Sequence, residues 1–264
     1  MDLSSYHAIT FRRDGYVLHA TFNRPDTMNA VDPEMEAELG RIFVEVAADP
    51  ETRVLVLTGA GRAFSAGGDI EHMQAVIDKP ALFLDAMSRS KALIHSILDC
   101  PKPIIAKVNG AAVGLGATIA LFCDLIIAAD HAKIGDPHVK VGFVAGDGGA
   151  VIWPQLIGYA RAKEYLLFGD TLTGAEAAKI GLINRAVPAQ ELDSVVDAFA
   201  QRLAQGASKA IQWTKMSINI GLKQLASSVL DASIAYEALS NLTQDHQEAV
   251  NAFREKRAPN FTGD

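Results

Sequence analysis

Arg53-Val54-Leu55-Val56-Leu57-Thr58, followed by the loop Ala63-Phe64-Ser65-Ala66-Gly67-Gly68-Asp69-Ile70, decides the fold class of this chain. A short, continuously apolar run is the pattern of a strand covered on both faces of its sheet, as parallel strands usually are. A glycine-rich segment then leads toward a helical pattern over residues 80–99. The arrangement repeats further on. Residues 103–108 give another buried strand, Asn109-Gly110 turns the chain, and Ala111-Ala112-Val113-Gly114-Leu115-Gly116 opens a helix over residues 115–122. Residues 125–129 are strand-like again, so strand, loop and helix recur, which points to an α/β layer architecture.

Upstream, Tyr16-Val17-Leu18-His19-Ala20-Thr21-Phe22 reads as a strand. Residues 33–48 read as a helix with Met35, Leu39, Ile42, Phe43 and Val46 on one face. Downstream, Thr173-Gly174-Ala175-Glu176 is a capping box that starts a short helix ending at Gly181. From residue 190 onward the pattern is helical only, with Leu192, Val195, Phe199 and Leu203 on one face. The chain therefore divides into an α/β core over residues 1–195 and a helical region over residues 196–264.

Composition narrows the function. The 264 residues are 49% hydrophobic and 21% charged, with 24 Lys and Arg against 31 Asp and Glu, a net charge of −7. That balance excludes a disordered chain and argues against nucleic acid as a partner, since phosphate binding needs clustered basic residues. Two cysteines, Cys100 and Cys123, provide neither a disulfide framework nor a four-ligand metal site, so no metal is expected. No apolar stretch reaches the roughly 20 residues of a membrane span. The longest uncharged run, residues 108–123, contains three glycines, and the first twenty residues resemble no secretory signal. A cytoplasmic location without membrane association is the expectation.

Several common chemistries are missing. Ala63-Phe64-Ser65-Ala66-Gly67 lacks the first glycine of a nucleophile elbow, no H-E-x-x-H occurs, and no Walker lysine follows a glycine loop. Gly114-Leu115-Gly116 begins like a dinucleotide fingerprint, but Ile119 stands where its third glycine belongs. What remains is two glycine-rich loops, each between a buried strand and a helix. Such loops serve as plain tight turns, or they bring free N–H groups close to a ligand. Two of them could hold one oxygen between two donors, an oxyanion hole.

Phe64-Ser65-Ala66-Gly67-Gly68-Asp69-Ile70, the run from Pro103 through Gly116, the run from Cys123 through Gly135 and the tail from Ala249 through Phe261 together resemble the crotonase superfamily, also called the enoyl-CoA hydratase/isomerase family. The likeness runs in order from Asn23-Arg24-Pro25 to Phe261. It implies a spiral of ββα units, a C-terminal helical trimerisation region, and a homotrimer or dimer of trimers. It implies an acyl-CoA thioester substrate whose carbonyl oxygen lies between the N–H groups of Gly68 and Leu115, with no cofactor beyond the CoA moiety. Ala66, Gly67, Asp69 and Ile70 would contact the adenine and pantetheine arm. Arg24, Lys256 and Phe261 are further candidate contacts, the last two open to supply by a neighbouring subunit.

The chain departs from the hydratases of that family where their reaction needs two glutamates. Alignment puts Thr118 at the first position and His138 at the second. A histidine titrating near neutrality suits proton transfer. His138 is therefore the expected general base, with Asp147 as its orienting partner or as a second acid; a filler histidine and a helix-capping aspartate are the alternatives. Pro137-His138, Gly146-Asp147-Gly148 and Trp153-Pro154 locally resemble the β-diketone hydrolases related to 6-oxocamphor hydrolase. A further histidine of that subgroup is replaced by Gly116, and the CoA-type tail Arg254-Glu255-Lys256-Arg257 is retained. The expected function is an enoyl-CoA hydratase/isomerase-family enzyme working through an enolate-like intermediate. Retro-Claisen hydrolysis of a β-diketone and non-catalytic acyl-CoA binding are the alternatives.

Overall fold

The structure, a computed structural model, describes residues 1–264, apart from the side chains of residues 84–86. Among the described residues, ten strands and nine α-helices follow one another as β1 (Ile9–Asp14), β2 (Val17–Phe22), α1 (Pro33–Ala48), β3 (Val54–Gly59), β4 (Ala63–Ser65), α2 (Ile70–Asp78), α3 (Ala81–Asp99), β5 (Ile104–Val108), β6 (Ala111–Val113), α4 (Leu115–Leu121), β7 (Leu125–Ala129), β8 (Lys133–Gly135), α5 (Gly149–Phe168), β9 (Thr171–Thr173), α6 (Gly174–Lys179), β10 (Arg185–Val187), α7 (Leu192–Ala204), α8 (Ser208–Ser240) and α9 (Gln244–Glu255).

The strands form two sheets. The larger has the order β1-β2-β3-β5-β7-β10, parallel apart from the β1–β2 hairpin; the smaller has the order β4-β6-β8-β9, parallel apart from β9. Three successive turns, β3–β4, β5–β6 and β7–β8, each give their first strand to the large sheet, their second to the small sheet, and then one or two helices. This is the ββα spiral of the crotonase fold, with a helical C-terminal region. The run read first, β3, is buried along its whole length, as expected of a strand covered on both faces.

The helices carry the caps their sequences suggest. Asp32 accepts the Met35 N–H at the start of α1, and Thr173 and Glu176 form the reciprocal capping box of α6. Helix α7 corrects the domain boundary. It is one continuous helix across residues 195 and 196, burying Leu192, Val196, Ala200 and Ala204 against β3, β5 and β7. The α/β core thus extends through Ala204. Val195, Phe199 and Leu203 flank the buried stripe and pack half-buried beside it. No helix among the described residues is long and apolar enough to cross a membrane.

Candidate active site

Parallel pairing of β4, β6 and β8 sets the place of the site. Loops that leave the same end of adjacent parallel strands emerge side by side, the usual position for a ligand in such sheets. After β4 come residues 66–69, after β6 comes Gly114, and after β8 comes the segment 136–148. Gly68, Leu115, His138 and Asp147, read from the sequence as the chemical residues, all line one pocket of about 120 Å³ at this edge.

The first loop is held from both sides. Ala66 N–H donates to Met28 O (3.0 Å), Val31 N–H to Gly67 O (2.7 Å) and Asp69 N–H to Val31 O (3.3 Å), while Ser65 Oγ accepts from Gly67 N–H (3.2 Å). Gly67 requires its missing side chain. Its φ is +87°, and a β-carbon there would lie 2.6 Å from Val113 O. Among the described residues no acceptor takes the Gly68 N–H. The Leu115 N–H, as the first of α4, has no acceptor within its own helix and none outside it among the described residues. Leu115 is half-buried, so its side chain is accommodated. Helix α4 rests directly on the end of β4, since a β-carbon on Gly116 would lie 2.5 Å from Ser65 O. No histidine could occupy position 116 in this packing.

The segment after β8 supplies a buried acid–base cluster. His138 Nδ1 is hydrogen-bonded to Asp136 Oδ1, and His138 Nε2 lies 3.8 Å from Asp147 Oδ2. The carboxylate hydrogen-bonded to the ring is therefore Asp136, and Asp147 faces the ring's other nitrogen. Thr118 Oγ1 donates to Asp147 Oδ1 at 3.0 Å, and the Gly149 N–H also donates to this carboxylate. The N-cap of α5 is Gly148, without a side-chain cap. The ring of His138 adjoins the glycine loop before α4, because a β-carbon on Gly114 would sit 3.5 Å from its Cε1. Glu237, arriving from α8, completes the cluster and packs over Gly146, where an added β-carbon would lie 2.7 Å from Glu237 Oε2.

Electrostatics divide the labour within this cluster. Burial alone would lower the His138 pKa, but the charges of Asp136 and Asp147 outweigh it and lift it to about 10. Burial raises Asp147, a rise the His138 imidazolium opposes. Burial, reinforced by the Asp147 charge, holds Glu237 well above the ordinary carboxylate range. The site thus sets a His138 ring that favours its charged form between Asp136 and Asp147, with Glu237 biased toward its protonated form beside them. Asp136, His138 and Asp147 also bring one ligand atom each within 4.8 Å of one another, a set able to hold a cation. The imidazolium already provides the positive charge between these carboxylates.

Other residues named from the sequence serve different local ends. Arg24 pairs with Asp32 (3.0 Å) and Asp69 (3.9 Å) and donates to Ala30 O, so its charge is compensated within the fold. Asp69 is the N-cap of α2, accepting from the Glu71 and His72 N–H groups, and Ile70 is the first residue of that helix. Lys256 is the exposed, left-handed C-cap of α9, and half-exposed Phe261 lies in the tail that folds back onto Asp245 and Glu248. Helical rise separates Lys256 from pocket residue His246 by about 15 Å along α9. Sequence reading missed Asp136, Glu237 and His246. The first stood unassigned beside Pro137, and the other two look in sequence like ordinary polar positions of amphipathic helices.

Spirals of this topology, with their sites at these loops, define the crotonase class of enzymes. The sequence profile of the family described as enoyl-CoA hydratase/isomerase matches residues 12–264, and the chain belongs to that family. It is 36% identical over 258 residues to (E)-benzylidenesuccinyl-CoA hydratase of Thauera aromatica, covering 97% of this chain and 99% of that one. It is 34% identical over 249 residues to 1,2-epoxyphenylacetyl-CoA isomerase of Escherichia coli K12, covering 94% and 95% of the two chains. Among solved structures, an enoyl-CoA hydratase/isomerase from Mycobacterium paratuberculosis superposes with a TM-score of 0.89 at 34% identity, covering 92% of this chain and 97% of the other. These relationships identify an enzyme of the hydratase/isomerase type.

Proposed function

We propose that the enzyme binds an acyl-CoA thioester and moves a proton at its α-carbon through an enolate held by the Gly68 and Leu115 N–H groups. The observation that carries this reading is that both unpartnered N–H groups line the same pocket as the buried His138–Asp147 pair. Negative charge developing on a thioester oxygen would meet two preorganised donors, and losing one such donor typically costs about 2.7–4 kcal/mol of transition-state stabilisation. Two carboxylates do the proton work in the family's familiar hydration, and here the sequence has Thr118 and His138 in their positions. Asp147 brings a carboxylate back to the first of these from a different segment, 3.0 Å from the Thr118 hydroxyl.

In this scheme Asp147 accepts the proton, because burial raises its basicity above that of an exposed aspartate. His138 is the charged partner that stabilises the ionised Asp147 and the enolate, and it can return a proton. Glu237, biased toward its protonated form by burial, is a second donor. The ring thus enters the reaction as an acid, although its position in the sequence suggests a base. Trp213 and Ile220, exposed two turns apart on α8, are assigned to contacts between copies in a trimer, which light scattering would read as three times the chain mass.

The test is α-proton exchange of butyryl-CoA in D2O followed by NMR, with calorimetric titration of butyryl-CoA and of free butyrate. Binding of the thioester alone together with exchange at its α-carbon is the expected result. Binding without exchange would favour the non-catalytic acyl-CoA binder. No thioester binding, together with cleavage of a cyclic β-diketone, would replace the reading with retro-Claisen hydrolysis, the second chemistry that a buried His–Asp pair could serve.

A further inference from the structure

His246 lines the pocket and carries a buried polar atom that neither the fold nor the proposed proton transfer employs. It lies in the first turn of α9, which is capped by Thr243, and the residue is fully buried. Its Nδ1 is 2.7 Å from Val141 O, and since a carbonyl can only accept, Nδ1 carries the proton. The ring stacks on Phe143 with centroids 4.5 Å apart, and burial lowers its pKa. Nε2 is therefore a bare lone pair at neutral pH, and among the described residues no donor reaches it. Native structures seldom leave a buried acceptor in this condition without a reason.

The surroundings point to what is missing. His246 lines the same pocket as Gly68, Leu115 and His138, with Val76 and Phe83 as apolar neighbours. Asn241 lines it too; its amide nitrogen donates to Val76 O at 3.4 Å, which leaves its oxygen as a second acceptor. Phe143 touches both the His138 ring, at 5.9 Å, and the His246 ring. His246 is thus linked to His138 through a shared neighbour, Phe143, and on the thioester reading the outer part of the acyl chain would lie beside it. We propose that His246 Nε2 accepts a hydrogen bond from a hydroxyl carried by the acyl group beyond its β-carbon, so that the enzyme selects hydroxylated acyl thioesters over their unsubstituted counterparts. The proposal rests on the thioester reading and goes further by naming the substrate's distal group.

Matched saturated ligands test it without turnover. Calorimetry would compare 4-hydroxybutyryl-CoA with butyryl-CoA and 5-hydroxyvaleryl-CoA with valeryl-CoA on the wild-type enzyme and on His246→Phe. That variant keeps an aromatic ring against Phe143 and removes the acceptor. In the wild type, at least one hydroxylated ligand is expected to bind about tenfold or more tightly than its partner, the scale of one buried hydrogen bond. In His246→Phe the ratio should fall to about one, a change that a merely structural role would not produce. Equal affinities within both pairs on the wild type overturn the inference and leave the thioester reading standing, even if the variant does not fold. A ratio in His246→Phe that matches the wild type's overturns it as well. Failure of all four thioesters to bind overturns both.

Discussion

Removing the carboxylate that holds His138 should change the charge of the whole site. Asp136 is buried, with Oδ1 on His138 Nδ1, and together with Asp147 it lifts the ring from 6.5 to about 10. At about 1.36 kcal/mol per pH unit, that lift amounts to about 5 kcal/mol of preference for the imidazolium, net of the opposing effect of burial. An opposite charge at contact distance accounts for shifts of about 1–3 pH units, so Asp136→Asn should lower the His138 midpoint by that amount. The sign for stability follows from the direction of the shift. A raised folded-state pKa stabilises fully below the unfolded value of 6.5, and this contribution is lost as pH rises through about 10. The wild type should therefore lose stability on the alkaline side, and Asp136→Asn should lose part of it already at neutral pH. NMR of histidine-labelled protein, reading the His138 Cε1 resonance against pH, measures the charge directly, and the α-exchange rate measured in parallel should fall as the imidazolium is lost. A wild-type ring titrating near 6.5, with activity rising as it deprotonates, would refute the reasoning.

Four further outcomes follow from the same geometry. Asp147→Asn removes the proposed proton acceptor and should slow α-exchange by about 10²–10⁴-fold with little change in thioester affinity, which separates chemistry from binding. Thr118→Val removes a hydrogen bond that lowers the Asp147 pKa, so the acid limb of the exchange profile should move to higher pH. Gly67→Ala forces a side chain into a φ of +87° and against Val113 O, and should cost about 1–3 kcal/mol in denaturant unfolding. Gly68→Ala meets only the flexible end of Met73 at 2.9 Å and should remain within about 1 kcal/mol of the wild type.

Sequence reading succeeded where periodicity or turn chemistry was strong. The span of α1, the buried β3 and the Thr173 capping box are local statements, and the structure repeats them almost residue for residue. The smaller sheet was hidden because β4, β6, β8 and β9 have only three residues each, too few to show an alternation. The glycine loops were visible as loops, but their adjacency depends on parallel pairing that no single loop encodes. Residues 138 and 147 stood out through departure from the family pattern. Glu237 gave no such signal, since a glutamate on a long helix reads as solvated charge until the crossing of α8 over Gly146 buries it. Arg24 and Asp69 are expected from the family resemblance to contact a ligand, and the fold gives them a further role, in an ion pair and a helix cap, that the sequence alone did not show.

The two candidate oxyanion donors belong to the main chain, while every candidate for proton transfer is a side chain. Only a proline can delete a backbone N–H, so almost any single mutation spares the grip on a carbonyl oxygen. Mutation at positions 118, 138, 147 and 237 meets no such protection. A scaffold divided this way can exchange one reaction for another while its hold on the substrate persists, and new chemistry can be explored without first rebuilding a binding site. Thr118→Glu combined with His138→Glu would be a direct attempt to move the same scaffold onto the two-glutamate course.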